Sequence, residues 1–115
     1  MIGSELTMRF LIAFAAPAVV ALVNIPLLLG RVPPNHWYGF RTQKTLSSPT
    51  VWYAANRFAG RLMTITAAVA ILVNLLVMGL LPSWQNARLI LVMASVLPAL
   101  LVASALVALI YLRRL

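Results

Sequence analysis

Few side chains in this chain could do covalent chemistry. Its 115 residues include one histidine, His36, one carboxylate, Glu5, and no cysteine. Thiolate nucleophiles, thiolate metal sites and disulfides are excluded together. His36 has no second imidazole, thiol or carboxylate near it in sequence, so a metal centre there would lack ligands. Glu5 has no partner for general acid–base work. No nucleophile–base pair can be assembled, and the expectation is a protein that is not an enzyme and takes no metal or cofactor. The remaining chemistry is recognition by cations and aromatic rings. Arg31, Arg41, Lys44, Arg57 and Arg61, five of the nine Lys and Arg residues, share one stretch with His36, Trp37, Tyr38, Trp52 and Tyr53. Such groups suit anionic partners, lipid phosphate among them.

The elements around that stretch are set by composition. The chain is 63% hydrophobic and 9% charged, against roughly 25% charged in a soluble domain. Its mean hydropathy is +1.02. There is too little polar surface to cover a globule in water, and lipid is the expected solvent. The net charge of +8 raises nucleic acid as a partner, but cationic loops beside apolar spans are also how membrane proteins set orientation. No direct nucleic-acid partner is expected. The fold class is an all-α membrane protein, a single membrane domain over residues 1–115. Three transmembrane helices are placed at about 8–30, 62–81 and 89–112, each long enough for a hydrocarbon core of about 30 Å. A structured cytoplasmic loop, 31–61, ending in an amphipathic interfacial helix, joins the first two.

Local signals refine this picture. Ser4 is a candidate cap for the first helix, with Glu5 in its first turn. Arg9 sits where a long side chain can snorkel outward. Pro17 and Pro26 are expected to kink the span. Ala13, Ala15 and Ala16 offer small residues for signal cleavage, but the apolar run continues past them, so the segment reads as a retained span. The connector 82–88 leads into the third span, with Trp84 and Tyr111 as interfacial anchors. With three spans, Arg31, Arg41, Lys44, Arg57, Arg61, Arg113 and Arg114 share one side and Arg9 and Arg88 the other. That imbalance predicts the N-terminus outside, with the loop and C-terminus in the cytoplasm.

Within the loop, Val32-Pro33-Pro34 is expected to end the first helix. Asn35 suits a turn, and Gly39 offers a positive-φ position. Ser48 and Pro49 read as cap and first helical residue. Trp52, Ala55, Ala59 and Leu62 then fall on one helical face and Arg57 and Arg61 on another. The helix is expected to lie at headgroup level and turn at Gly60 into the second span. Asn35, Arg41, Asn56 and Arg57 are the main binding candidates, with Arg31, Gly39, Thr42, Trp52 and Arg61 beside them. In one account the arginines hold lipid phosphate and the asparagines close turns. In the other, Asn35 and Asn56 hold loop and helix together and present Arg41 and Arg57 to an anionic group.

The order Arg31-x-Pro33-x-Asn35, Gly39-Phe40-Arg41-Thr42, Thr45-Leu46-Ser47, Trp52, then Ala55-Asn56-Arg57 through Gly60 resembles the signature of the SdpI family. These are small bacterial membrane proteins named after an immunity protein against a secreted peptide toxin. The resemblance implies an immunity or signalling role. Relatives often carry acidic residues near Pro49-Thr50, and this chain has none there, which removes a local partner for Arg57.

Two intramembrane amides, Asn24 and Asn74, either join helices or line a polar cavity. Stripes of small and polar residues, Thr66-Ala70-Asn74 and Ser95-Ala99-Ala103, either pack the three helices or build a homo-oligomer. Two functions follow. One is an interaction protein that binds a peptide toxin or a membrane-protein partner through the loop. The other is a small transport or assembly subunit of a larger complex. Anionic membrane lipid is the weaker third partner.

Overall fold

Three helices long and apolar enough to cross a membrane make up most of the computed structural model, which describes residues 2–80 and 86–115. The first is continuous through Ile2–Phe10, a π-helical segment Leu11–Ala15 and Ala16–Leu28. The wider turn comes just before Pro17 and closes on a bond from the Ala16 N–H to the Leu11 carbonyl. It makes room for a ring that would otherwise strike the carbonyl four residues back. Because this helix already begins at Ile2, Ser4 lies within its first turn and does not cap it. Arg9 is half-buried, with its Nε enclosed.

The helix also ends earlier than the proline pair suggests. Gly30 adopts a φ of +70°, its N–H bonds the Leu27 carbonyl at 3.1 Å, and the Arg31 N–H bonds the Pro26 carbonyl at 3.0 Å. This is a Schellman stop, in which a residue without Cβ takes the left-handed position and satisfies the last carbonyls. Pro33 and Pro34 only keep the chain from resuming.

The second helix, Pro49–Leu80, runs unbroken for 32 residues. The interfacial helix and the second span are therefore one rod, and the expected turn at Gly60 does not occur. At about 1.5 Å per residue the rod is about 48 Å long, against about 30 Å of hydrocarbon. The rod is thus longer than one crossing needs, and Arg57 and Gly60 lie level with the last turns of the first helix. The third helix is Asn86–Leu112. Trp84 and most of the 82–88 connector lie outside the described residues.

The second helix is central, with the first and third packed on either side of it. At the end away from the loop all three meet around Ala13, Leu89 and Met93, flanked by Ile12, Val77 and Met78. Toward the loop the outer two helices diverge, leaving a groove floored by the second. The first helix approaches closest at Gly60. A Cβ there would lie 2.8 Å from the Leu28 nitrogen and 3.0 Å from the Asn24 carbonyl oxygen. Gly60 is a close-packing position and not a bend. The third helix is held by a 2.6 Å hydrogen bond between the Thr66 and Ser104 hydroxyls and by stacking of Phe58 on Tyr111, ring centroids 4.0 Å apart. Lipid does not favour helix association by hydrophobicity, so small residues and polar contacts must do so.

The two small-residue stripes part company. Thr66, Ala70 and Asn74 are buried inside the chain, whereas Ser95, Ala99 and Ala103 all face outward. Asn24 bonds its own helix, Nδ2 to the Val20 carbonyl at 2.8 Å, and its side chain has no hydrogen bond to another helix among the described residues. Asn74 is wholly buried, and neither its Oδ1 nor its Nδ2 has a hydrogen-bond partner among the described residues.

Gly60→Ala is expected to destabilise the fold by about 1–3 kcal/mol, the usual cost of overpacking against groups that cannot move. Gly79→Ala, whose Cβ would meet nothing within 4 Å, should stay within about 1 kcal/mol of the native chain. Thermal unfolding of both in one detergent checks this, and equal melting temperatures would contradict the close approach.

Candidate functional site

The segment between the first two helices is built on three local turns. Asn35 closes the first, its Oδ1 accepting from the Trp37 N–H at 3.0 Å and the Tyr38 N–H at 2.6 Å, while its Nδ2 donates to the Pro33 carbonyl at 2.9 Å. Short amides do this because they mimic a backbone turn. Thr42 and Thr45 close the second. The Thr42 N–H donates to Thr45 Oγ1 at 2.7 Å and the Thr45 N–H to Thr42 Oγ1 at 3.1 Å. A single 3-10 turn, Thr45–Ser47, follows. The third is the helix start expected from sequence, where the Val51 N–H donates to Ser48 Oγ at 3.2 Å.

Two side chains of the second helix then clasp this segment by its backbone. Asn56 accepts from the Phe40 N–H at 2.6 Å and donates to the Phe40 carbonyl at 3.3 Å, and also donates to the Trp52 carbonyl at 3.0 Å. One amide thus satisfies both polar groups of a loop residue as a paired strand would. Trp52 Nε1 donates to the Val32 carbonyl at 2.8 Å. Both side chains are buried. From the first helix, the Val23 carbonyl accepts from the Tyr38 hydroxyl. Gly39, at φ +115°, is required for this geometry. A Cβ there would lie 2.9 Å from Asn56 Oδ1 and 3.1 Å from the Trp52 ring.

The candidate residues divide into two sets. Asn35, Gly39, Thr42, Trp52 and Asn56 are committed to internal contacts. Arg31, Arg41, Arg57 and Arg61 are exposed. Phe40 and Asn56 are in contact, and Arg41 and Arg57 each follow one of them in sequence, so the clasp sets the backbone position of both. The Arg57 guanidinium lies over Gly30, where a Cβ would come within 2.5 Å of its Nη2. That places a cation at the C-terminal, partially negative end of the first helix. Trp37, also in the loop, is 81% exposed. Asn35 bonds only within its own turn, so of the two asparagines Asn56 alone ties loop to helix.

Sequence reading left Thr45 and Tyr38 out of the binding candidates, and named Trp52 without foreseeing what it holds. Thr45 is fully buried, and the three-residue spacing from Thr42 was its one signal. The Tyr38 hydroxyl and the Trp52 indole reach carbonyls 15 and 20 residues away in sequence, and no pattern marks such pairs. His36 is exposed.

Asn56→Ala leaves the Phe40 N–H and carbonyl without partners, at about 1–3 kcal/mol for each group that stays dry. Hydrogen exchange at the Phe40 amide should accelerate at least about tenfold, while the interior of the second helix stays protected. Unchanged exchange at Phe40 would show that Asn56 does not hold the loop.

The model of the SdpI/YfhL protein family matches residues 31–112, beginning where the first helix has ended and taking in the loop and the other two helices. No curated protein and no solved structure matches the chain.

Proposed function

The chain belongs to the SdpI/YfhL protein family, and on that premise we propose that it is a membrane interaction protein of the toxin-immunity or signalling type. It binds a peptide toxin or a membrane-protein partner through the basic, aromatic loop and does no catalysis. The observation that carries this reading is the Asn56 clasp. A loop needed only to set orientation requires cations and nothing more. This one commits two buried side chains and a glycine at positive φ to a defined backbone path. What that path displays is four exposed arginines and Trp37. In this reading the loop and C-terminus are cytoplasmic, from the seven-to-two cation imbalance across the three spans.

Producing the chain in sensitive bacteria should protect them from a membrane-active peptide toxin. Arg41→Ala and Arg57→Ala should each abolish protection at unchanged membrane levels, measured as survival against an immunoblot of the membrane fraction. Protection that survives a scramble of the loop side chains with charge conserved would reduce the loop to a topological signal. For orientation, an impermeant thiol reagent applied to whole cells should label Thr7→Cys and spare Gln43→Cys, and the reverse pattern would invert the topology.

A second reading, a small assembly or transport subunit or a homo-oligomer, is favoured by the outward stripe of Ser95, Ala99 and Ala103. Such spacing lets another helix approach closely. It predicts a stable complex in mild detergent that Ala99→Leu dissociates, read as mass by light scattering. A native chain that is monomeric and free of partners would exclude it.

A further inference from the structure

The groove left where the first and third helices diverge encloses about 670 Å³, within the roughly 300–1,000 Å³ typical of sites for molecules of modest size. Its walls are Val19, Val23 and Leu27 on one side and Leu101, Val102 and Leu109 on the other. Val19, Val23, Val102 and Leu109 are exposed, so the groove opens sideways to the surroundings of the helices. Its polar side chains, Asn24, Tyr38 and Asn56, are already hydrogen-bonded within the protein. An occupant therefore needs no polar group at depth. Along the first helix the groove spans residues 19–27, about 12 Å, close to the roughly 15 Å of hydrocarbon in one leaflet.

At Leu109 the groove adjoins a second pocket, of about 740 Å³, lined by Thr42, Gln43, Lys44 and Ser47 of the loop and by Leu112 and Arg113 of the third helix. Lys44 and Arg113 are exposed and have no ion-pair partner among the described residues. The chain's one acidic residue, Glu5, is at the opposite end of the first helix. An apolar slot one leaflet deep, with two unpaired cations at its mouth, matches a molecule with a hydrocarbon tail and an anionic head. We propose that this composite site holds one anionic phospholipid, an acyl chain in the groove and the phosphate in the pocket shared by Lys44 and Arg113. The proposal rests neither on the toxin partner nor on which way the chain faces.

The test is native mass spectrometry of the full chain, exchanged in mild detergent into dioleoyl phosphatidylglycerol or dioleoyl phosphatidylcholine. One phosphatidylglycerol per chain should be retained, with about thirtyfold preference over phosphatidylcholine if both cations act. Lys44→Gln with Arg113→Gln should erase the preference and leave weak retention of both lipids. Ala105→Phe, which fills the groove, should reduce retention of both. In the unaltered chain, phosphatidylglycerol with a diazirine on its tail should label residues 19–27 and 101–109. This readout does not depend on any variant folding. A preference unchanged in the double variant would overturn the proposal, as would label spread over outward residues such as Leu72 and Leu76. So would inorganic phosphate displacing the lipid, or a dimer whose formation excludes it.

Discussion

A chain that leaves the apolar layer as one helix and returns as another uncoils about a dozen and a half peptide groups between them, and each must find a hydrogen-bond partner where water is scarce. Asn56 meets that demand at the loop's centre. Its buried amide pairs with both polar groups of Phe40 and is itself tied to the Trp52 carbonyl one turn back. Because Asn56 and Trp52 stand on the same continuous rod as the second span, the loop is registered against the membrane helix and not hinged to it. Gly39 is the geometric counterpart of this contact, since no other residue allows the backbone to come so near.

The same rod organises the membrane-embedded half. Gly60 admits the first helix, and Thr66 with Phe58 holds the third. The outer helices have large, lipid-facing surfaces and little to hold them to each other except the cluster around Ala13 and Met93. They meet at one end and part at the other, and the groove is the consequence. Asn74 sits on the inner face of the rod with no hydrogen-bond partner among the described residues, which is unusual for a buried amide.

Much of this was legible in the residues. Three apolar stretches, the cap at Ser48, the turn at Asn35 and the positive φ at Gly39 follow from rules that act within a few residues. The face formed by Trp52, Ala55, Ala59 and Leu62 followed from helical spacing; the first three are buried and Leu62 is half-buried. Gly60 was misread because a helical glycine has two uses, as a bend and as a place of close approach, and local sequence does not separate them. The end of the first helix was placed at the prolines because their effect is strong and familiar, while Gly30 had already stopped it by a hydrogen-bond pattern that needs only one permissive residue.

By itself, then, the amino-acid order determined the solvent, the number of helices and the concentration of cations beside one junction, because hydropathy, charge and turn preference are properties of short segments. Tertiary structure decided which of those residues are spent and which are free. Asn56, Trp52 and Thr45 turned inward while Arg31, Arg41 and Arg57 stayed out. It also decided that one small-residue stripe packs within the chain and the other faces away. Those outcomes depend on which backbone comes within about 3 Å of which side chain, a matter of how three rods lean on one another that no segment carries alone.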